Sequence, residues 1–355
     1  MFKALGLWLC LALPFTAQAT SVVFLNPGYR QEDFWSRYAS FMQAAADDLG
    51  MQLRVEYGQS QPALILDQAR RALKALDKPD YLVMVNEQYV APQILRLAQG
   101  SGVKVFIVNN ALTGAQMHSI DTQPHTYAPV LGTLTVNDEQ AGFKMLHALL
   151  EQLPAGDGPI DLVAFAAVKN TPASQLREEG MRRALADFPQ VRLRQVVYGG
   201  WSRQRAYEQA QVLVQRYPKL RLVWCANEEM AFGAMRAFEE AGRVPGRDVL
   251  FSAVNASPEA LQARIDGRLS VLMGGHFTVG GWAMVMLHDD ALGLPINRDG
   301  LHEHKVSALH LIGQDGARQW LDTLKRQDLG VDLRHMSAAG RPVDYRYLFL
   351  ETPSP

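Results

Sequence analysis

The sequence predicts an α/β protein of two doubly wound lobes, and three observations lead there. Short apolar runs of strand length recur along the chain: "SVVFLN" (21–26), "DYLVMVN" (80–86), "KVFIVNN" (104–110), "IDLVAFA" (160–166), "LRLVWCAN" (220–227) and "VLFSAVN" (249–255). Amphipathic helical patterns separate them, which is the alternation of a parallel sheet covered by helices. The runs are continuously apolar, so both faces of each sheet are expected to be buried. Two such sheets are needed to house this many strands, and 355 residues suffice for two cores.

In chain order, the first segment is "MFKALGLWLCLALPFTAQAT". Lys3 gives a basic start, 4–16 is an apolar stretch, and Ala17-Gln18-Ala19 is a small-residue cleavage site. A signal peptide cut after Ala19 is expected, since the stretch is short for a membrane span. Leu9 before Cys10 is too bulky for the usual lipidation site. Export leaves Cys225 as the one cysteine of the mature chain, so no internal disulfide is expected and Cys225 reads as a small buried residue. The net charge of -1, with scattered lysine and arginine, predicts no attraction to nucleic acid or to an anionic membrane.

The first helix is predicted at 33–49, where Phe34, Tyr38, Phe41, Met42, Ala45 and Leu49 recur at three- and four-residue spacing and Gly50 terminates the pattern. Phe34 and Trp35 are adjacent, so their side chains point about 100° apart. One core-facing stripe does not hold both, and one of them is expected to work outside the core. Further helices are predicted at 62–76, 90–100, 138–152, 173–187, 203–216, 257–267 and 279–292. The segment 228–242 has acids in its first turn and Gly242 past its end. The loop 113–130 and the stretch 131–142 read as a crossing between lobes. In the tail, 316–326 is predicted helical and 344–351 an alternating strand.

Five of the apolar runs end in asparagine: Asn26, Asn86, Asn109 (followed by Asn110), Asn227 and Asn255. Ligands of open parallel sheets bind beyond the carboxyl ends of the strands. An amide there offers an acceptor and two donor hydrogens, which suits a neutral polyhydroxylated ligand. The plainer reading of each asparagine is a helix cap or a turn. Asn227, before Glu228, is placed to do both.

The segment "VWCANEEMAFGAMRAFEEAG" (223–242) resembles the type 1 periplasmic sugar-binding proteins, the ribose-binding family, in which a strand ends in Asn before an acidic pair and Met-Ala-x-Gly-Ala. The resemblance runs over 21–312 and includes "QLREEGM" (175–181), "GGWSRQRAYEQAQVLVQRYP" (199–218) and "VNASPEALQARIDGRL" (254–269). "DFWSRYASF" is also similar to the autoinducer-binding periplasmic receptors of the same family. It implies two Rossmann-like lobes, 20–134 plus 276–308 and 135–275 plus 309–355, joined by a three-segment hinge around a ligand cleft. The resemblance implies ring stacking by one or both of Phe34 and Trp35 and by Trp201, hydrogen bonding by Arg177 in its Arg-x-x-Gly context, and a contact from Asn227.

Two positions depart from the family. Asn109-Asn110 stands where the sugar binders commonly carry Asp-Arg, and Asn255 where they carry an aspartate. Glu32, Asp33 and Asp138 are candidates to restore an acceptor, and His276 sits beside the position of the family's late glutamine. "HEH" (302–304) is too weak a pattern for a metal site, no cofactor is expected, and no catalytic motif is present. The resemblance implies a monomeric periplasmic binder, not an enzyme. It would capture a small neutral sugar or polyol and pass it to the membrane permease of an ABC importer. The alternative is a receptor for a furanosyl diol that docks on a membrane sensor kinase or cyclase.

Overall fold

The structure, a computed structural model, describes residues 19–123, 125–153, 158–296, 303–326, 332–342 and 345–350. The expected leader thus lies outside the described residues except for Ala19. The first lobe opens with β1 (Ser21–Asn26), α1 (Asp33–Leu49), β2 (Gln52–Tyr57), α2 (Pro62–Lys74) and β3 (Tyr81–Met84). It continues with α3 (Ala91–Ala98), β4 (Lys104–Asn109), α4 (Gly114–Asp121) and β5 (Val130–Val136). The second lobe follows as α5 (Asp138–Leu150), β6 (Ile160–Ala166), α6 (Pro172–Ala184), β7 (Val191–Tyr198) and α7 (Arg203–Arg216). Then come β8 (Leu222–Cys225), α8 (Glu228–Glu240), β9 (Leu250–Val254), α9 (Pro258–Ile265) and β10 (Val271–Gly274). The chain returns to the first lobe for α10 (Val279–Ala291) and β11 (Glu303–Val306), then crosses again for β12 (His310–Leu311) and α11 (Gln314–Arg326).

Each lobe holds a six-stranded sheet, ordered β11-β5-β4-β3-β1-β2 and β12-β10-β9-β8-β6-β7. All pairs are parallel except β10 with β12. The six apolar runs are six of the eight interior strands, and Cys225 is free and buried on β8. The expected strands do not include the interior β5 and β10, the short β11 and β12, or β2 and β7. β2 and β7 lie at sheet edges and show half-buried, alternating patterns instead of continuous apolar ones.

Two expectations about lobe limits need correction. β5 stays in the first sheet through Val136, so the first crossing lies at Asn137 and not at 134/135. The tail expected with the second lobe divides. α11 packs on α9, whereas Leu333, Ala338, Tyr347 and Phe349 enter the first-lobe core. A buried carboxylate holds them there: Asp289 accepts from Tyr347 Oη at 2.9 Å, from the Ala338 amide at 2.6 Å and from Ser337 Oγ. Phe349 stacks on Trp282 at 5.4 Å. Of the strand expected at 344–351, residues 345–350 make only one bridge, Leu350 to Val306. The alternation there records burial of Tyr347 and Phe349, not sheet pairing.

One helix contact positions the cleft. α5 and α6 cross so closely that a Cβ on Gly180 would lie 1.8 Å from the Glu139 carbonyl oxygen. A Cβ on Gly142 would lie 2.0 Å from the Arg177 carbonyl oxygen. The two glycines therefore let Asp138 and Arg177 meet. Gly180→Ala forces the helices apart and is expected to destabilise the protein by about 1–3 kcal/mol, read as a lower urea midpoint at unchanged slope.

Candidate functional site

The carboxyl ends of the two sheets face each other across a cavity of about 620 Å³. Phe34, Trp35 and Asn109 line it from the first lobe. Arg177, Trp201, Asn227 and Asn255 line it from the second, and His276 lines it at the second crossing. Glu32 and Asp33 also reach the cavity. Asp138 does not: it is buried behind Arg177, whose Nε donates to its Oδ1 at 2.7 Å. The expectation of Asp138 as a ligand acceptor is corrected on that ground. His302 lies outside the described residues, and His304 is buried on β11.

The five strand-end asparagines divide by what their amides already do. Asn26 binds its own loop, donating to the Trp35 carbonyl and accepting from the Gly28 amide, both at 3.0 Å. Asn86 accepts from the Ala91 amide at 3.1 Å and donates to the Ala111 carbonyl at 2.7 Å and Gln116 Oε1 at 2.8 Å. Neither lines the cavity. Asn227 caps α8 by accepting from the Met230 amide at 3.0 Å, and its Nδ2 faces the Trp201 carbonyl at 3.4 Å. It is both cap and cavity wall. Asn109 and Asn255 have φ of 64° and 96°, where the chain turns off its strand. Asparagine tolerates positive φ better than most residues. Asn109 Oδ1 and Asn110 Oδ1 are buried without a protein donor.

Phe34 and Trp35 resolve differently. Trp35 is buried against Tyr38, with ring centroids 5.4 Å apart, and presents part of its surface to the cavity. Phe34 sits edge-on to Trp35 at 4.8 Å and stacks on His276 at 4.4 Å. Phe34 is thus the ring that leaves the helix stripe, and it packs on the crossing segment.

Arg177 is held from three sides. Besides Asp138, its Nη1 donates to the Ala226 carbonyl at 2.7 Å, and its Nη2 lies 3.4 Å from His276 Nε2. Burial and the guanidinium push the His276 pKa well below its ordinary value, so the ring is neutral. A neutral ring facing an arginine donor accepts through Nε2, which places its proton on Nδ1. That Nδ1 is buried without a protein partner. Two of the five guanidinium hydrogens remain beyond these contacts. The Trp201 ring centroid lies 5.8 Å from the Arg177 guanidinium carbon.

Sequence reading missed two buried carboxyls on the cavity wall. Glu87 accepts from Thr171 Oγ1 at 2.6 Å and from Asn110 Nδ2 at 3.1 Å. Glu228 accepts from Ser257 Oγ at 2.8 Å and the Ser257 amide at 3.1 Å. Burial raises Glu87 to about 7 and Glu228 to about 8, and Glu32 is likewise raised to about 7. Asp33 and Glu229 are neutralised instead by Arg37, at 2.7 Å, and Arg203, at 2.9 Å. A signal was available: Glu87 and Glu228 each directly follow a strand-end asparagine.

Asp138→Ala leaves a buried guanidinium uncompensated and is expected to cost about 3–5 kcal/mol of unfolding free energy in urea titration. Arg177→Ala should be similarly destabilising, because it strands the Asp138 carboxylate. Glu228 has a folded pKa above its ordinary 4.5, so its contribution is fully present below 4.5 and lost as pH rises through about 8. The melting temperature should therefore fall between pH 6 and pH 9, and Glu228→Gln should shrink that fall.

A family model for the periplasmic binding protein domain matches residues 22–293. The chain is 56% identical to a periplasmic sugar-binding protein from Pseudomonas fluorescens of known crystal structure, covering 93% of this chain and 98% of that one with a TM-score of 0.85. Among curated proteins, it is 23% identical over 112 residues to the galactofuranose-binding protein YtfQ of Escherichia coli K12, covering 31% of this chain. It is 27% identical over 127 residues to the D-allose-binding periplasmic protein of the same organism, covering 36% of this chain. These alignments span 35% and 40% of those two proteins, respectively.

Proposed function

The chain belongs to the periplasmic binding protein family, and from that premise we propose that it captures a small neutral sugar or sugar-like polyol between its lobes. It works in the periplasm and presents the captured ligand to the permease of an ABC importer. One observation carries the reading. Asn109, Arg177, Trp201, Asn227 and Asn255, drawn from both lobes, line one cavity with Phe34 and Trp35.

The chemistry of that wall fits a hydroxylated ring. The Asn109, Asn110 and Asn255 amides line the cavity, and amides offer both donors and acceptors to ligand hydroxyls. Arg177 has donors to spare, and its planar fork suits adjacent oxygens. Trp201 and Phe34 offer flat apolar faces to the C–H side of a sugar. A cavity of about 620 Å³ is in the range used for small ligands. The names of the relatives point the same way, since two of them bind galactofuranose and allose. Because each lobe supplies part of the wall, a ligand that touches both favours the closed form over the open one. The mechanism is binding and release without covalent chemistry.

The test is a thermal-shift series with D-ribose, D-allose, D-galactose, L-arabinose and myo-inositol. At least one sugar should raise the melting temperature, since a binder gains stability once ligand exceeds its dissociation constant. Trp201→Ala should weaken that sugar by about tenfold in calorimetry, near 1.4 kcal/mol, while the ligand-free melting temperature stays close to wild type. No shift with any sugar would count against the ligand class. An unchanged affinity in Trp201→Ala would count against the site.

A further inference from the structure

Glu87 sits in a short 3-10 turn, Glu87–Tyr89, at the carboxyl end of β3. Two residues of that turn, Gln88 and Tyr89, hold positive φ of 48° and 61°. Non-glycine residues adopt such backbone only where the surroundings impose it. Within the first lobe Gln88 Nε2 donates to the Ser60 carbonyl and the Tyr89 carbonyl accepts from Gln116 Nε2, both at 3.3 Å, while the side chains of Glu87 and Tyr89 reach the other lobe. Glu87 accepts from the Thr171 hydroxyl, of the second lobe, at 2.6 Å. Tyr89 Oη donates to Gln175 Oε1, also of the second lobe, at 2.8 Å. Thr171 is the residue before α6, yet its side chain does not cap that helix. Its hydroxyl is committed to Glu87 instead.

We propose that Glu87 is an interlobe latch: a first-lobe carboxyl group that holds the cleft closed through Thr171. The latch does not depend on the sugar-binding reading above. The protein therefore reaches the closed form without ligand, and the ligand adds to a closure the side chains already favour. Its energy then shifts an equilibrium that the latch has brought within reach.

The latch also responds to pH. In the closed form burial outweighs the Thr171 and Asn110 donors and raises Glu87 to about 7, against an ordinary 4.5 for a solvated glutamate. Closure thus takes up a proton and is favoured as pH falls through about 7, by up to about tenfold per pH unit for one group. Other charged groups line the same cavity. Glu32 and Asp33 come from the first lobe; Arg177, Arg203, Glu228 and Glu229 come from the second, and His276 stays neutral. Glu32 is raised to about 7 as well, so the diagnostic is the share of the pH dependence that Glu87 carries.

The experiment measures closure in ligand-free protein, by pulsed EPR between spin labels at Ala115→Cys and Glu208→Cys. These exposed positions lie on opposite lobes, and Cys225 is buried. Glu87→Ala and Thr171→Val should each reduce the closed population several-fold at pH 6. The double variant should fall no further than Glu87→Ala alone, because both remove one interaction. Thr171→Val removes a hydroxyl that caps nothing, so it reads the latch even where Glu87→Ala lowers stability. Glu87→Gln should reduce the pH slope of the closed population by about one proton. An unchanged closed population in Thr171→Val, or a wild-type pH slope in Glu87→Gln, overturns the latch. Sugar-induced thermal shifts are read separately, so loss of closure and absence of a sugar ligand remain distinct results.

Discussion

The cleft depends on the guanidinium of Arg177. It pairs with Asp138, the first residue of the second lobe after the Asn137 crossing, at 2.7 Å. It touches His276, at the return crossing, and donates to the carbonyl of Ala226, just past the end of β8. One planar cation thus joins two of the hinge strands to the floor of the second lobe. Burying such a charge is unfavourable unless its partners are fixed, and the pair is buried on both sides. The Gly142–Gly180 contact fixes them by setting the distance between α5 and α6. The residue that resembles a family ligand contact is therefore also a structural centre of the hinge. Its two remaining hydrogens are held at a defined place before any ligand arrives, which is preorganisation in its simplest form.

Much of this was legible in the sequence because parallel sheets write themselves as continuous apolar runs. The six runs became central strands, and the helix over 33–49 has the expected limits. Edge strands were lost for the converse reason: β2 and β7 are covered on one side, so their pattern alternates. The strand-end asparagines could be counted but not sorted. Nothing local distinguishes Asn86, whose amide is consumed by Ala91, Ala111 and Gln116, from Asn109, whose carbonyl is left over. The difference is made by which loop folds back onto each strand end. Asp138 was misplaced for a similar reason, since a helix-start acid reads as solvated until the partner across the helix contact is known. Glu87 and Glu228 were invisible because charged side chains are expected at the surface, and only tertiary packing buries them.

The asparagines at 109 and 255, where the resemblance implies aspartates, become intelligible through charge. Glu32, Glu87 and Glu228 line the cavity with pKa values raised to about 7, 7 and 8, each chiefly by burial. Each is answered by neutral donors: the Tyr29 amide for Glu32, hydroxyl and amide groups for the other two. Aspartates at 109 and 255 would add two more anions to a space where three already resist ionisation. Like charges at close range disfavour one another, so those aspartates would themselves be driven neutral. An amide keeps the acceptor oxygen and omits the charge. Read this way, Asn109 and Asn255 follow from the carboxyls beside them: at positions 87 and 228 the acid stands one residue beyond a strand-end asparagine, and the amides at 109 and 255 keep the rest of the wall uncharged. A wall so arranged discriminates by hydrogen-bond geometry and ring shape, with proton occupancy of the three acids setting how much negative charge the closed cavity must carry.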